Sequence, residues 1–351
     1  MAENGKHKDE SIILDVKGLK KYFPITGGLL KRIVGYVKAV DDVNFFVREG
    51  ETLGLVGESG CGKTTAGRAV LRLYEPTGGE VRFKSRSLST TGKPEWVSIR
   101  ELDKAQLKTI RQDISMIFQD PIGSLNPRMT VYDIITEPMV IHNKIAPDTE
   151  DYVVQLLKRV GLRPEHVRRY PHEFSGGQRQ RIGIARSLAL NPQLIIADEP
   201  VSALDVSVQA QTLNLMNDLK ADFNLAYIFV AHDLSVVQHI SDRVAVMYVG
   251  RIAEVADSVE LFSRPLHPYT EALMSSVPRP NPRAQKERII MEGDVADPGD
   301  PPPGCLFHPR CRYVQERCKT EIPVPRELRP DHYAACHFAH ELELKGVAQL
   351  D

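Results

Sequence analysis

The sequence predicts an α/β fold with a largely parallel central sheet, and three observations carry that prediction. Short apolar runs alternate with segments of helical periodicity across most of the 351 residues. One such run, Leu53 to Val56, turns at Gly57 and gives way to a helix beginning near Lys63, with the spacing G-x4-G-K-[ST] between them. Another, Leu194 to Ala197, ends in Asp198-Glu199-Pro200.

In order, Ile12 to Val16 reads as a strand, and Leu19 to Phe23 sets two aromatics before a glycine-containing loop. Val37 to Val47 reads as a strand closed by Arg48-Glu49-Gly50. The first strands look antiparallel and suited to a side sheet. The helix from Lys63 runs to about Leu73, Thr77 to Glu80 makes a turn, and Val81 to Phe83 a short strand. Residues 84–100 are polar with weak periodicity and read as a surface insertion. Ile114 to Phe118 is a buried strand closed by Gln119-Asp120-Pro121. Residues 131–142, 149–160, 177–190 and 207–223 have helical periodicity. Ala226 to Ala231 is a strand, and Val244 to Val249 with Arg251 to Val255 forms a final hairpin around Gly250. Seven prolines fall in 278–303, an extended linker before a cysteine-bearing tail.

Composition narrows the function. Hydrophobic residues make up 42%, enough for a large domain and a smaller one. The formal net charge of −1 argues against electrostatically driven nucleic-acid binding, and the pairs Lys20–Lys21 and Lys31–Arg32 read as solvated surface. The polar first residues lack a signal peptide's apolar core, and no apolar run approaches bilayer-crossing length. The expectation is a soluble, cytoplasmic chain that reaches a membrane only through partners.

The glycine-rich stretch Gly57, Glu58, Ser59, Gly60, Cys61, Gly62, Lys63, Thr64, Thr65 is a phosphate-binding loop. Glycines let several N–H groups converge on one anion, and the following helix adds its positive end. Lys63 is placed to reach the β- and γ-phosphates, and the Thr64 hydroxyl to hold Mg²⁺. A chance glycine-rich turn would lack the flanking strand and helix. Cys61 reads as a small residue that fits.

Further stretches suit the same chemistry. Asp198, at the end of a buried strand, would bind Mg²⁺ through water, and Glu199 would polarise the attacking water. Alone, the pair would be an ordinary strand end. Phe174-Ser175-Gly176-Gly177-Gln178 opens a helix, which is either a second anion site or a plain cap, and suggests a nucleotide held by another subunit. His232 is placed to donate to the γ-phosphate, although a lone His is usually structural. Gln119 could contact Mg²⁺ or the lytic water, or only satisfy backbone groups. Ser202-Ala203-Leu204-Asp205 could be a turn and N-cap, which is compatible with an intersubunit role.

Together these stretches, each occurring once and in family order, resemble the nucleotide-binding subunit of an ABC transporter. The resemblance covers about residues 11–340. It implies a P-loop NTPase of ABC ATPase type, with a RecA-like core, an antiparallel β subdomain and a helical signature subdomain, here followed by a small cysteine-bearing extension. Expected boundaries are a disordered 1–10, an ATPase domain at 11–264 with its helical subdomain at about 121–190, and an extension at 265–351. Phe174–Gln178 matches the signature motif, with Phe174 for the usual Leu as its one departure. Gln119 matches the Q-loop, Ser202–Asp205 the D-loop and His232 the switch histidine. Phe23 matches the aromatic that stacks on adenine, ahead of Tyr22. The resemblance further implies ATP and Mg²⁺ as cofactors, the latter at Thr64, Gln119 and Asp198, and Glu199, His232, Gln119 and Lys63 as catalytic. Two subunits would pair head to tail, each ATP lying between one phosphate loop and the other signature helix, and a groove at roughly Gln119–Glu137 would meet the permeases.

Pro265 to Met274, Gly123 to Met129 and Arg169 to Phe174 resemble the second ATPase subunit type of oligopeptide/dipeptide importers. This implies a different second ATPase chain, two transmembrane permease subunits, an external solute-binding protein and a place at the cytoplasmic face of the cell membrane. Related carriers take glutathione, metal chelates or oligosaccharides. The competing classes are a non-transport ABC ATPase, which would carry a coiled coil, tandem domains or a basic surface, and an ATPase regulated through its cysteines.

Cys305, Cys311, Cys318 and Cys336 are separated by 5, 6 and 17 residues. From spacing, an iron–sulfur cluster, structural Zn²⁺ and free or oxidised thiols all remain open, zinc lacking its usual C-x2-4-C pair. The subfamily resemblance implies a [4Fe–4S] cluster at these four. His308, His332 and His337 are possible substitutes, more simply surface histidines.

Overall fold

Apolar runs and their polar caps set the elements of the computed structural model, which describes residues 11–28, 31–121, 123–276 and 289–347. They are, in chain order, β1 (Ile12–Gly27), β2 (Arg32–Arg48), β3 (Thr52–Val56), α1 (Lys63–Val70), β4 (Gly78–Ser85), β5 (Glu95–Ser98), α2 (Lys104–Ile110) and β6 (Ile114–Ile117). There follow α3 (Val131–Ile141), α4 (Thr149–Arg159), α5 (Gly176–Leu188), β7 (Leu194–Asp198), α6 (Val206–Phe223), β8 (Ala226–Ala231), α7 (Leu234–Ile240), β9 (Arg243–Tyr248) and β10 (Arg251–Asp257). The last are α8 (Ser258–Ser263), α9 (Pro268–Ser276), α10 (Glu316–Thr320), β11 (Arg326–Arg329) and β12 (His332–Ala334). The expectations for 1–10 and for the first part of the proline-rich stretch, 278–288, lie outside the described residues. Two units interleave along the chain: one takes the residues up to Asp15, 46–52 and 82–230, the other 16–45, 53–81 and those from Ala231 on.

In the first unit β6, β7 and β8 run parallel, Ile114 opposite Leu194 and Leu194 opposite Ala226. β7 and β8 are buried from end to end, so both read as unbroken apolar runs. Helices α3, α4 and α5 pack on one another and bury Ile134, Ile135, Leu157, Ile182 and Leu188. The stretch 84–100 is not merely an insertion: it holds the end of β4 and all of β5, paired antiparallel with Phe83 opposite Val97. Its polar composition hid a strand whose partner is another short strand.

In the second unit β2, β1 and the start of β4 are neighbours. Leu19 to Phe23 lie within β1 rather than ahead of a loop. The turn expected at Thr77–Glu80 gives way to strand from Gly78, because Gly79 passes the Gly18 carbonyl so closely that a Cβ would sit 2.2 Å from its oxygen. β3 lies parallel to β9, and β9, β10, β12 and β11 continue antiparallel. The hairpin at 243–257 is therefore not the last of the sheet: Glu254 faces Val246 on one side and Ala334 on the other. β11 is polar and β12 three residues long, which leaves no periodicity to read. Behind them Leu266, Ala334, Cys336 and Ala339 form a buried cluster.

Buried Glu254 locks this arrangement. It accepts the Leu266 and His267 backbone N–H groups at 2.6 and 3.0 Å and lies 2.7 Å from His332 Nε2. Glu254→Ala orphans all three, and is expected to cost about 3 kcal/mol of stability. Denaturant melts check this, and a loss below about 1 kcal/mol would show that the carboxylate is not the lock. Among the described residues no helix is long and apolar enough to cross a membrane.

Candidate functional site

The phosphate loop lies in the second unit between β3 and α1. Gly57 and Gly62 have φ of 153° and 105°, and a Cβ on them would sit 2.1 Å from the Met247 carbonyl oxygen and 2.0 Å from that of Ala39. Only glycine meets both the backbone angle and the approach. Lys63 is 4% exposed, and its Nζ donates to the Gly57 and Glu58 carbonyls at 2.8 and 2.9 Å. The loop thus wraps its own cation. Gly62 caps α1 without a side-chain hydrogen bond and the first turn holds no acidic residue, so nothing covalently attached there competes with an anion. Thr64 and Thr65 are half-buried on that turn, while Ser59 and Gly60 are exposed. Cys61 is buried with Sγ 3.7 Å from Lys63 Nζ, and burial pushes its thiol up.

The same unit holds both aromatics considered for adenine. Tyr22 Oη donates to Asp41 Oδ1 at 2.5 Å, and Arg251 donates to Asp41 Oδ2 at 2.6 and 3.0 Å. Burial, then Asp41, pushes the Tyr22 phenol up to about 12. Tyr22 is committed to this network. Phe23 carries no polar duty: its half-buried ring meets Tyr74 edge-on at 5.6 Å, with Lys21 Nζ 4.9 Å from its centroid. His232 is exposed, just ahead of Asp233, the N-cap of α7.

In the first unit the structure joins two predicted residues directly. Gln119 Nε2 donates to Glu199 Oε2 at 3.0 Å. Glu199 adopts φ of +45° while its N–H donates to the Val230 carbonyl at 3.0 Å, a conformation costly for a non-glycine residue and often found at functional sites. Asp198, the last residue of β7, is 0% exposed. Ser202 Oγ donates back to the Glu199 carbonyl at 3.0 Å, and Asp205 caps α6 through the Val208 N–H at 3.0 Å. Ser202, Ala203 and Asp205 are exposed and Leu204 half-buried. Ser175 and Gln178 cap α5 reciprocally, Gly176 is exposed, Gly177 half-buried, and Phe174 is buried edge-on against His166 at 5.1 Å.

The four tail cysteines line one cavity of the second unit, together with His267 and Phe307. None is in a disulfide. Burial pushes the Cys311 thiol up to about 12, Cys336 to about 11, and Cys305 upward as well. Among the described residues no group of three or more His, Cys, Asp or Glu is close enough to hold a single metal ion. His332 and His337 are not surface histidines: both are buried, His332 on Glu254 and His337 Nε2 3.0 Å from the Glu321 carbonyl oxygen. Burial pushes His267 down to about 4, and its Nδ1 accepts the Tyr269 N–H at 3.0 Å. Sequence reading missed Tyr269, whose Oη accepts the Glu58 N–H at 2.9 Å across 211 residues, a pairing no local pattern announces.

Residues 40–202 match the family described as "ABC transporter", and 253–318 match "Oligopeptide/dipeptide transporter, C-terminal region". The chain is 53% identical to the oligopeptide transport ATP-binding protein AppF of Bacillus subtilis, covering 94% of this chain and 98% of that one. It is 50% identical to the probable peptide ABC transporter ATP-binding protein y4tS of Sinorhizobium fredii, over 93% and 89%. Among solved structures, the dimeric ATP-binding cassette MJ0796 in a post-hydrolysis state with ADP and Pi matches with a TM-score of 0.59 and 26% identity, covering 70% of this chain and 99% of that one. CbiO1 of Clostridium perfringens gives 0.59 and 25%, over 72% and 91%.

Proposed function

The chain belongs to the ABC transporter family, among the ATP-binding proteins of oligopeptide/dipeptide transporters, and on that premise we propose that it is the ATP-hydrolysing subunit that powers import of oligopeptides or dipeptides. It works at the cytoplasmic face of the membrane, bound to two permease subunits that receive solute from an external binding protein. Its partner in the head-to-tail pair is a second, different ATPase chain. The observation that supports this best is the phosphate loop, folded around the Lys63 ammonium ahead of an uncapped helix start.

In this reading Lys63 exchanges its two carbonyl partners for β- and γ-phosphate oxygens. Phe23 stacks on the adenine, and His232 donates to the γ-phosphate. Glu199 polarises the attacking water, and Gln119, already on its carboxylate, orients that oxygen. Ser175 to Gln178 present a helix start to the partner's nucleotide, and Ser202 to Asp205 lie at the junction. Thr64 and Asp198 are hard oxygen donors that suit Mg²⁺, which when bound neutralises charge developing on the phosphates. Phosphoryl transfer needs little beyond such positioning. Purified chain is expected to hydrolyse ATP with a specific rate that rises with its own concentration or on adding the companion subunit. Full-speed hydrolysis by a dilute monomer would sink the shared-nucleotide mechanism, and purification from native membranes without permeases would sink the transport role.

We further assign the cysteine cavity to a [4Fe–4S] cluster. Four cysteines lining one cavity suit it, and their spacing lacks the C-x2-4-C pair usual for zinc. When bound, the cluster supplies a covalent cross-link among four segments of a tail too small to rely on core burial alone. Cys318→Ser is expected to bleach the brown colour of an iron–sulfur cluster and to loosen the tail. Colourless native protein, prepared without oxygen, would remove the assignment.

A further inference from the structure

The phosphate loop contains an acidic residue. A carboxylate at Glu58, one position past Gly57, would repel a triphosphate entering the same loop. The structure answers this with a residue from the cysteine-bearing tail. Arg310 grips Glu58 with both arms of its guanidinium, Nη1 to Oε2 at 2.7 Å and Nη2 to Oε1 at 3.1 Å, across 252 residues of chain. The Arg310 side chain is 8% exposed and that of Glu58 24%, so the pair is screened far less than a surface bridge. Two further contacts converge on Glu58. Its N–H donates to Tyr269 Oη, and its carbonyl is one of the two that hold Lys63 Nζ. Tyr269 and Tyr248 pack on Phe307, with ring centroids 5.3 Å from it in each case, and Phe307 is a wall of the cysteine cavity. Arg310 itself lies between Cys305 and Cys311 in the sequence. The tail thus reaches the loop by an ion pair and by an aromatic stack; the stack starts at the cavity wall, and the ion pair from the residue just before Cys311, which lines it.

We propose that Arg310 is a positioning residue for nucleotide binding, which neutralises Glu58 and, with Tyr269, holds the loop backbone at that position, so that a folded cysteine tail is a condition of a competent phosphate loop. This rests on the ATPase reading and deepens it: the tail serves the nucleotide site and is more than an appendage. Arg310 touches no reacting atom and acts through Glu58.

The test measures MgATP affinity of the full-length chain by calorimetry, alongside its nucleotide-free melting temperature. Arg310→Gln is expected to weaken binding about tenfold, as befits loss of a shielded bidentate pair. Arg312→Gln is the control: it removes a tail ion pair to Glu271 that does not reach the loop, and should leave affinity unchanged. Glu58→Gln in the Arg310→Gln background should cost no more than Arg310→Gln alone, since the two act as one unit. Arg310→Lys should recover part of the affinity by restoring charge without the fork. Unchanged affinity in Arg310→Gln would overturn the proposal. So would equal losses in Arg310→Gln and Arg312→Gln, which would reduce the role to general tail stability. Native chain that binds no MgATP at all would instead overturn the ATPase reading, and this proposal with it.

Discussion

Glu199→Gln is expected to bind ATP about as well as the native chain while its turnover falls by about a thousandfold or more. The substitution is nearly isosteric and removes only the negative charge to which we assign the polarising of water. The Glu199 N–H still donates to the Val230 carbonyl, and the new amide oxygen still accepts from Gln119 Nε2. Gln tolerates the positive φ no worse than Glu, so the backbone at this turn has no new reason to move. Binding measured by calorimetry and phosphate release measured in a single turnover separate the two effects. An unchanged rate would remove Glu199 from the chemistry, and lost binding would mean that it shapes the pocket rather than the water.

The second large effect is on affinity. Lys63→Ala removes the one cation that the loop encloses, and is expected to raise the Kd for MgATP by about a hundredfold, the scale of two charge-assisted hydrogen bonds to phosphate. It also strips the Gly57 and Glu58 carbonyls of the ammonium they share. The loop should then lose order even without nucleotide, which faster amide exchange over residues 57–62 would register. Normal affinity in this variant would count against the loop assignment itself.

Much of the fold was legible because its signals are local. Leu194 to Ala197 and Ala226 to Ala231 are apolar at every position, and strands so written are buried on both faces. The helices at 131–141, 149–159 and 176–188 show their periodicity and carry polar caps or charged ends. Where strands are short or polar, as at Glu95–Ser98 and Arg326–Arg329, composition resembles a loop and only pairing defines them. The histidines of the tail misled for a related reason. His332 looks like a surface residue until Glu254, 78 positions away, is folded against it.

The sequence by itself determined that this chain carries the parts of a nucleotide-hydrolysing machine, since a phosphate loop, a strand ending in Asp-Glu and a capped helix start each occupy a few consecutive residues. Tertiary structure alone decided which parts touch: Gln119 on Glu199 across 80 positions, Tyr269 under Glu58 across 211, Arg310 on Glu58 across 252, and four scattered thiols on one cavity. The physical reason is range. Backbone angles and anion-binding N–H groups are set by neighbours in sequence, whereas a hydrogen bond or ion pair gains its strength from burial and proximity that exist only once distant segments have packed.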